Sequence, residues 1–78
     1  MQTKPDVQQR LGAAVKEIRA VKAITQEELA RRTDLHPTYI SDIERGARNP
    51  SFFVPARLAD GLGVTLAEIG AAYDRVAK

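Results

Sequence analysis

Between Gln26 and Asn49 the chain gathers side chains suited to binding rather than to reacting. Pro37, Thr38, Ser41 and Asp42 share one short run, Tyr39 lies among them, and Arg45, Arg48 and Asn49 follow closely. Hydroxyls, a carboxylate, an amide and guanidinium groups donate and accept hydrogen bonds, which is the chemistry of recognition. Bond-making chemistry has no comparable footing. There is no cysteine, one histidine (His36), no glycine-rich phosphate loop and no carboxylate pair that the sequence sets in a cleft, so no nucleophile and base can be named. The same counts exclude a disulfide framework and leave a structural zinc almost without ligands. An enzyme is not expected, and neither a cofactor nor a small-molecule substrate is implied.

The elements that must hold these side chains are helices. Glycine and proline divide the 78 residues into five segments of helical periodicity, and no run alternates long enough to make a strand. The expectation is all-α: a compact five-helix bundle, one domain over residues 1–78. The first segment, Val7 to Lys22 with Asp6 as candidate N-cap, places Val7, Leu11, Ala14, Val15, Ile18 and Val21 on one stripe. The second opens at Thr25 and ends near Thr33. Glu28 stands three residues after Thr25, the spacing of a capping box in which hydroxyl and carboxylate each take a free amide. The third starts at His36 or Pro37, because proline suits the first helical position, and stops at Gly46. Ser51 could cap a fourth helix carrying Phe52, Leu58, Ala59 and Leu62 and closing at Gly63. Pro55 would then lie about one turn inside, so that helix should begin later or bend. Thr65 and Glu68 form a second capping box ahead of Leu66, Ile69, Ala72, Tyr73 and Val76.

Segments two and three are joined only by Asp34 to His36, a link too short for an antiparallel pair, so they must cross steeply as a helix-turn-helix. Ala30 is small where the two helices approach, Leu35 plugs the turn, and Ile40 and Ile43 bury beneath. The outer face of the third helix stays free.

The run TQEELARRTDLHPTYISDIERGARNPS closely resembles the phage repressor and Cro type of helix-turn-helix family. Its carriers are Thr25 to Ala30, Tyr39-Ile40-Ser41, Ile43 to Gly46, Asn49-Pro50-Ser51 and Leu62-Gly63-Val64. The resemblance implies a lambda-repressor-like domain that binds operator DNA and regulates transcription. Within the family, HPTYISDIERGARNPS looks like the controller proteins of restriction-modification systems, which are single-domain dimers; a general repressor or an antitoxin shares these features. Two departures stand out: Asp34 where the family usually has a turn glycine, and Pro55 in the fourth helix.

A recognition helix at about 37–45 would lie in the major groove and read base edges from its N-terminal end, through Pro37, Thr38, Ser41 and Asp42. Resemblance places the family's base contacts at Pro37, Thr38 and Asp42. Pro37 offers only apolar contact, and Asp42 could accept from a cytosine amino group or select by repelling phosphate. For the DNA backbone the candidates are Gln26 at a helix start, Tyr39 if it is not core, Arg45, Arg48 and Asn49. By resemblance Arg19 and Glu44 form a structural ion pair. His36 is read as a cap, Arg31 and Arg32 as a solvated face.

The net charge of +2 permits a double-stranded DNA partner without demanding one. So small a core leans on self-association, and a homodimer through Leu66, Ile69 and Tyr73 of the fifth helix is expected. It would space two recognition helices about 34 Å apart on a palindrome. Met1 to Asp6 is polar, no run is long enough to span a membrane, and the cytoplasm fits best. The competing reading is a protein-protein adaptor that uses Phe52, Phe53 and the fifth helix.

Overall fold

A computed structural model describes residues 7–48 and 53–76. Five helices follow one another among the described residues: α1 (Val7–Lys22), α2 (Gln26–Thr33), α3 (Pro37–Glu44), α4 (Phe53–Leu62) and α5 (Leu66–Val76). Asp6, Asn49, Ser51 and Phe52 lie outside the described residues.

The stripe of α1 is buried at its centre, with Ala14 and Val15 fully enclosed, but Val7 and Val21 at its two ends are exposed. The expected stripe is therefore longer than the surface available to cover it. α1 packs on α5, α3 and α4, while α2 packs on α3 and α4. Leu29, Ile40, Ile43, Leu58 and Leu62 fill the space between them. Ile24, just before the Thr25 cap, and Leu29 enter the same core, the arrangement of a hydrophobic staple.

The two capping boxes differ. At α5 the box is complete: Thr65 Oγ1 accepts from the Glu68 amide at 3.0 Å, and the Thr65 amide donates to Glu68 Oε1 at 2.8 Å. At α2 only half forms, because Thr25 Oγ1 caps the Glu28 amide while the Glu28 carboxylate turns to Arg31 and Arg32. Two guanidinium groups outcompete one backbone amide for the carboxylate, and they lower the Glu28 pKa to about 2. Pro55 stands third in α4, within the first turn, where a missing amide costs no helical bond.

Among the described residues four chain reversals use a residue with positive φ: Ala23, Asp34, Gly46 and Gly63. After α1 the Ile24 amide donates to the Arg19 carbonyl and the Ala23 amide to Ala20, a Schellman closure; the same pattern recurs after α3 and α4. Glycine makes it without strain at two of these sites, but Ala23 at φ 57 pays for its Cβ. Ala23→Gly is therefore expected to stabilise the fold by about 1 kcal/mol. The urea midpoint, at unchanged m-value, measures it.

Candidate nucleic-acid interface

α2 and α3 meet through the turn Asp34–Leu35–His36. Asp34 takes the left-handed conformation at φ 59, and the Leu35 amide donates to the Ala30 carbonyl at 3.1 Å. The glycine-like turn thus survives with aspartate, whose short polar side chain tolerates that backbone better than most. Arg57 of α4 adds an external cap, donating from Nη2 to the Thr33 carbonyl at 2.6 Å. At the other end of the turn His36 Nδ1 accepts from the Thr38 amide at 3.1 Å, and Pro37 occupies the first helical position.

These constraints fix which face of α3 is free. Ile40 and Ile43 are buried, so Thr38, Ser41, Asp42 and Arg45 share the outer side. Pro37 and Thr38 are exposed at the N-terminal end; Ser41 and Asp42 are half-buried. Tyr39 packs partly against the core, and its ring lies under the Arg48 guanidinium, 4.9 Å from the centroid. It thus serves core and surface together. Asp42 is engaged by Arg45 and, at 3.3 Å, by Arg48.

Beneath the outer face sits a nearly closed polar cluster. Arg19 donates to Glu44 through Nε at 2.6 Å and Nη2 at 3.0 Å, and to the Ile24 carbonyl through Nη1 at 3.0 Å. Gln26 Nε2 also donates to Glu44, at 2.9 Å. The Glu44 side chain is only 3% exposed. Its carboxylate raises the Arg19 pKa above the ordinary value, so the guanidinium stays charged. One carboxylate thereby joins α1, α3 and the first residue of α2. Gln26 is thus held at the first position of α2, the end of a helix whose leading amides lack intrahelical partners and can receive a phosphate.

The sequence matches the helix-turn-helix family over residues 15–69. The chain belongs to that family. Among characterised members, it is 40% identical over 65 residues to the control protein C.MunI from a Mycoplasma species, covering 82% of this chain and 88% of that one. It is 50% identical over 54 residues to the control protein C.BamHI from Bacillus amyloliquefaciens, covering 68% and 67%. The fold superposes on the restriction-modification controller protein C.Esp1396I, crystallised as a tetramer with its natural 35-base-pair operator, with TM-score 0.84, 30% identity and coverage of 96% and 100%.

The three residues expected at a dimer interface on α5 differ in their exposure. Ile69 is 3% exposed and belongs to the core of the single chain. Tyr73 is half-buried, with the Arg10 guanidinium 4.1 Å from its ring centroid. Leu66 alone of the three is exposed. The apolar stripe of α5 packs mainly on α1, beside the Arg75–Glu17 ion pair at 2.9 Å, and leaves Leu66 outside. Phe53, assigned to the adaptor reading, is exposed at the start of α4.

Sequence reasoning also missed Gly12 and Gly61. A Cβ at Gly12 would stand 2.2 Å from the Ile43 carbonyl oxygen, and one at Gly61 would stand 2.6 Å from Thr33 Cγ2. Both mark crossings that bring the helix-turn-helix against α1 and α4. A glycine inside a helical pattern is a faint signal for such an approach. Among the described residues no helix is long and apolar enough to cross a membrane, and no His/Asp/Glu group is placed to hold a metal.

Proposed function

We propose that this protein is a sequence-specific DNA-binding transcriptional regulator that inserts α3 into the major groove. The observation that carries the reading is the outer face of α3: Thr38, Ser41, Asp42 and Arg45 point away from a helix whose inner face is locked by Ile40, Ile43 and Glu44. A rigid helix with free polar side chains at its N-terminal end suits base-edge readout. Thr38 and Ser41 supply hydroxyl contacts, Pro37 an apolar contact such as a thymine methyl, and Asp42 an acceptor. Gln26, Tyr39, Arg45, Arg48 and Asn49 hold the backbone of the duplex, and Arg19 with Glu44 sets the angle between the elements.

The active form in this reading is a homodimer on a palindromic operator. Leu66, exposed beside the α4–α5 turn, and the half-buried Tyr73 are the α5 residues able to join two copies, since Ile69 is enclosed within one chain. A control protein of a restriction-modification system is the favoured role, on its similarity to C.MunI and C.BamHI. Selection of bound duplexes from a random pool tests the function. A palindrome with half-sites about 34 Å apart is the expected product. Recovery of no preferred sequence would remove the proposal, and a single unrepeated half-site would remove the dimer. Neighbouring endonuclease and methyltransferase genes would mark the control-protein role.

A further inference from the structure

Asp42 is held by two cations on the face that would meet DNA. Its Oδ1 accepts from Arg45 Nη2, and its Oδ2 accepts from Arg48 Nε at 3.3 Å. The Arg45 and Arg48 side chains are 64% and 51% exposed, whereas that of Asp42 is 17% exposed. The carboxylate therefore sits beneath both guanidinium groups. Arg48 reaches it from beyond the Gly46 reversal, and Tyr39 supports that guanidinium from its ring face.

We propose that Asp42 is a specificity-determining counter-charge, whose carboxylate holds Arg45 and Arg48 back from the phosphates of arbitrary DNA and releases them at the operator. The inference rests on the DNA-binding reading above. A duplex of any sequence offers phosphates to the two arginines, but taking them leaves a bare carboxylate facing a polyanion. Keeping them on Asp42 leaves the three side chains with half the positive charge the arginines carry alone. Either way, non-specific contact is weakened. A major-groove amino group, cytosine N4 above all, offers Asp42 a replacement donor. The arginines then pass to phosphate without leaving the carboxylate bare of a hydrogen-bond donor. Asp42 thus selects by penalising wrong partners as well as by accepting from the right one. Exposed ion pairs of this kind add little to folding, so the carboxylate can be removed without losing the scaffold.

The test compares wild type with Asp42→Asn and Asp42→Ser on a duplex of arbitrary sequence and on a duplex selected by the wild type, between about 50 and 200 mM salt. Circular dichroism confirms folding of each variant. Serine covers the case in which asparagine makes a base contact of its own. Both variants are expected to bind the arbitrary duplex about tenfold more tightly at low salt, with a salt slope steeper by about one, while the selected duplex gains nothing. In an Arg45→Ala/Arg48→Ala background the same substitutions should give a clearly smaller gain, the part owed to the bare carboxylate alone. Arbitrary binding within about twofold of wild type in both variants would overturn the proposal. So would a gain of undiminished size without the arginines, since the carboxylate would then act by direct repulsion alone. Failure of the DNA-binding reading is read separately, as a wild type that prefers no duplex at all.

Discussion

Gly12→Ala is expected to leave the chain largely unfolded at 25 °C. The added Cβ would lie 2.2 Å from the Ile43 carbonyl oxygen, 2.7 Å from that of Glu44 and 2.8 Å from the Glu44 carbonyl carbon. All three are backbone atoms, so no rotamer change relieves the contact. Relief requires α1 and α3 to separate, but α3 is tied to α1 by the Arg19–Glu44 pair and to the core by Ile40 and Ile43. Overpacking a core costs about 1–3 kcal/mol when side chains can shift, and a backbone collision belongs at or beyond the top of that range. A domain of this size has a net stability of only about 3–5 kcal/mol. Gly70→Ala is the internal control. Its Cβ would meet nothing within 4 Å, and alanine in a helix is favoured over glycine by about 0.5–1 kcal/mol. Thermal melts followed by circular dichroism should show the first variant without a cooperative transition near that of wild type and the second melting slightly higher. A Gly12→Ala protein that melts within a few degrees of wild type would show that the helices can move apart cheaply.

Glu44→Ala should cost about 3 kcal/mol or more, the usual consequence of stranding one partner of a buried ion pair. Glu44 accepts from Arg19 twice and from Gln26 once, and its side chain is almost wholly enclosed. Truncation leaves the Arg19 guanidinium with the Ile24 carbonyl as its described hydrogen-bond partner, and it frees Gln26 at the start of α2. The damage is to folding first and to DNA binding second, through Gln26. Glu44→Gln keeps the shape and part of the hydrogen bonding, so its loss should be smaller. Removing both charges, in Arg19→Met/Glu44→Met, should cost less than the sum of the single changes, because no unpaired charge remains. Guanidinium denaturation across the cycle measures each step. A Glu44→Ala loss below about 1 kcal/mol would place the pair among ordinary surface bridges.

Much of the architecture was readable because helices are local objects. The Thr25 and Thr65 caps, the proline at the start of α3 and the glycines after α3 and α4 all follow from residues within one turn of the feature. The outward face of α3 was legible for the same reason, since the 3.6-residue period that buries Ile40 and Ile43 turns Thr38 and Asp42 outward. Reversals without glycine were harder. Ala23 carries no sequence signal for positive φ, and its conformation is imposed by the need to bury Ile24 and start α2 at Thr25.

The division between sequence and tertiary structure follows the distance over which each effect operates. Periodicity, caps and the short Asp34–His36 link determined the five helices among the described residues and the close succession of α2 and α3, because these depend on neighbours in the chain. The partners of Glu28, Asp42 and Tyr73, the enclosure of Ile69 and the narrow passage at Gly12 depend on where distant or competing groups come to rest. Only the packed bundle could decide them. A carboxylate chooses among several reachable cations, and an apolar residue chooses between its own core and a second copy, according to which surface the fold brings to it.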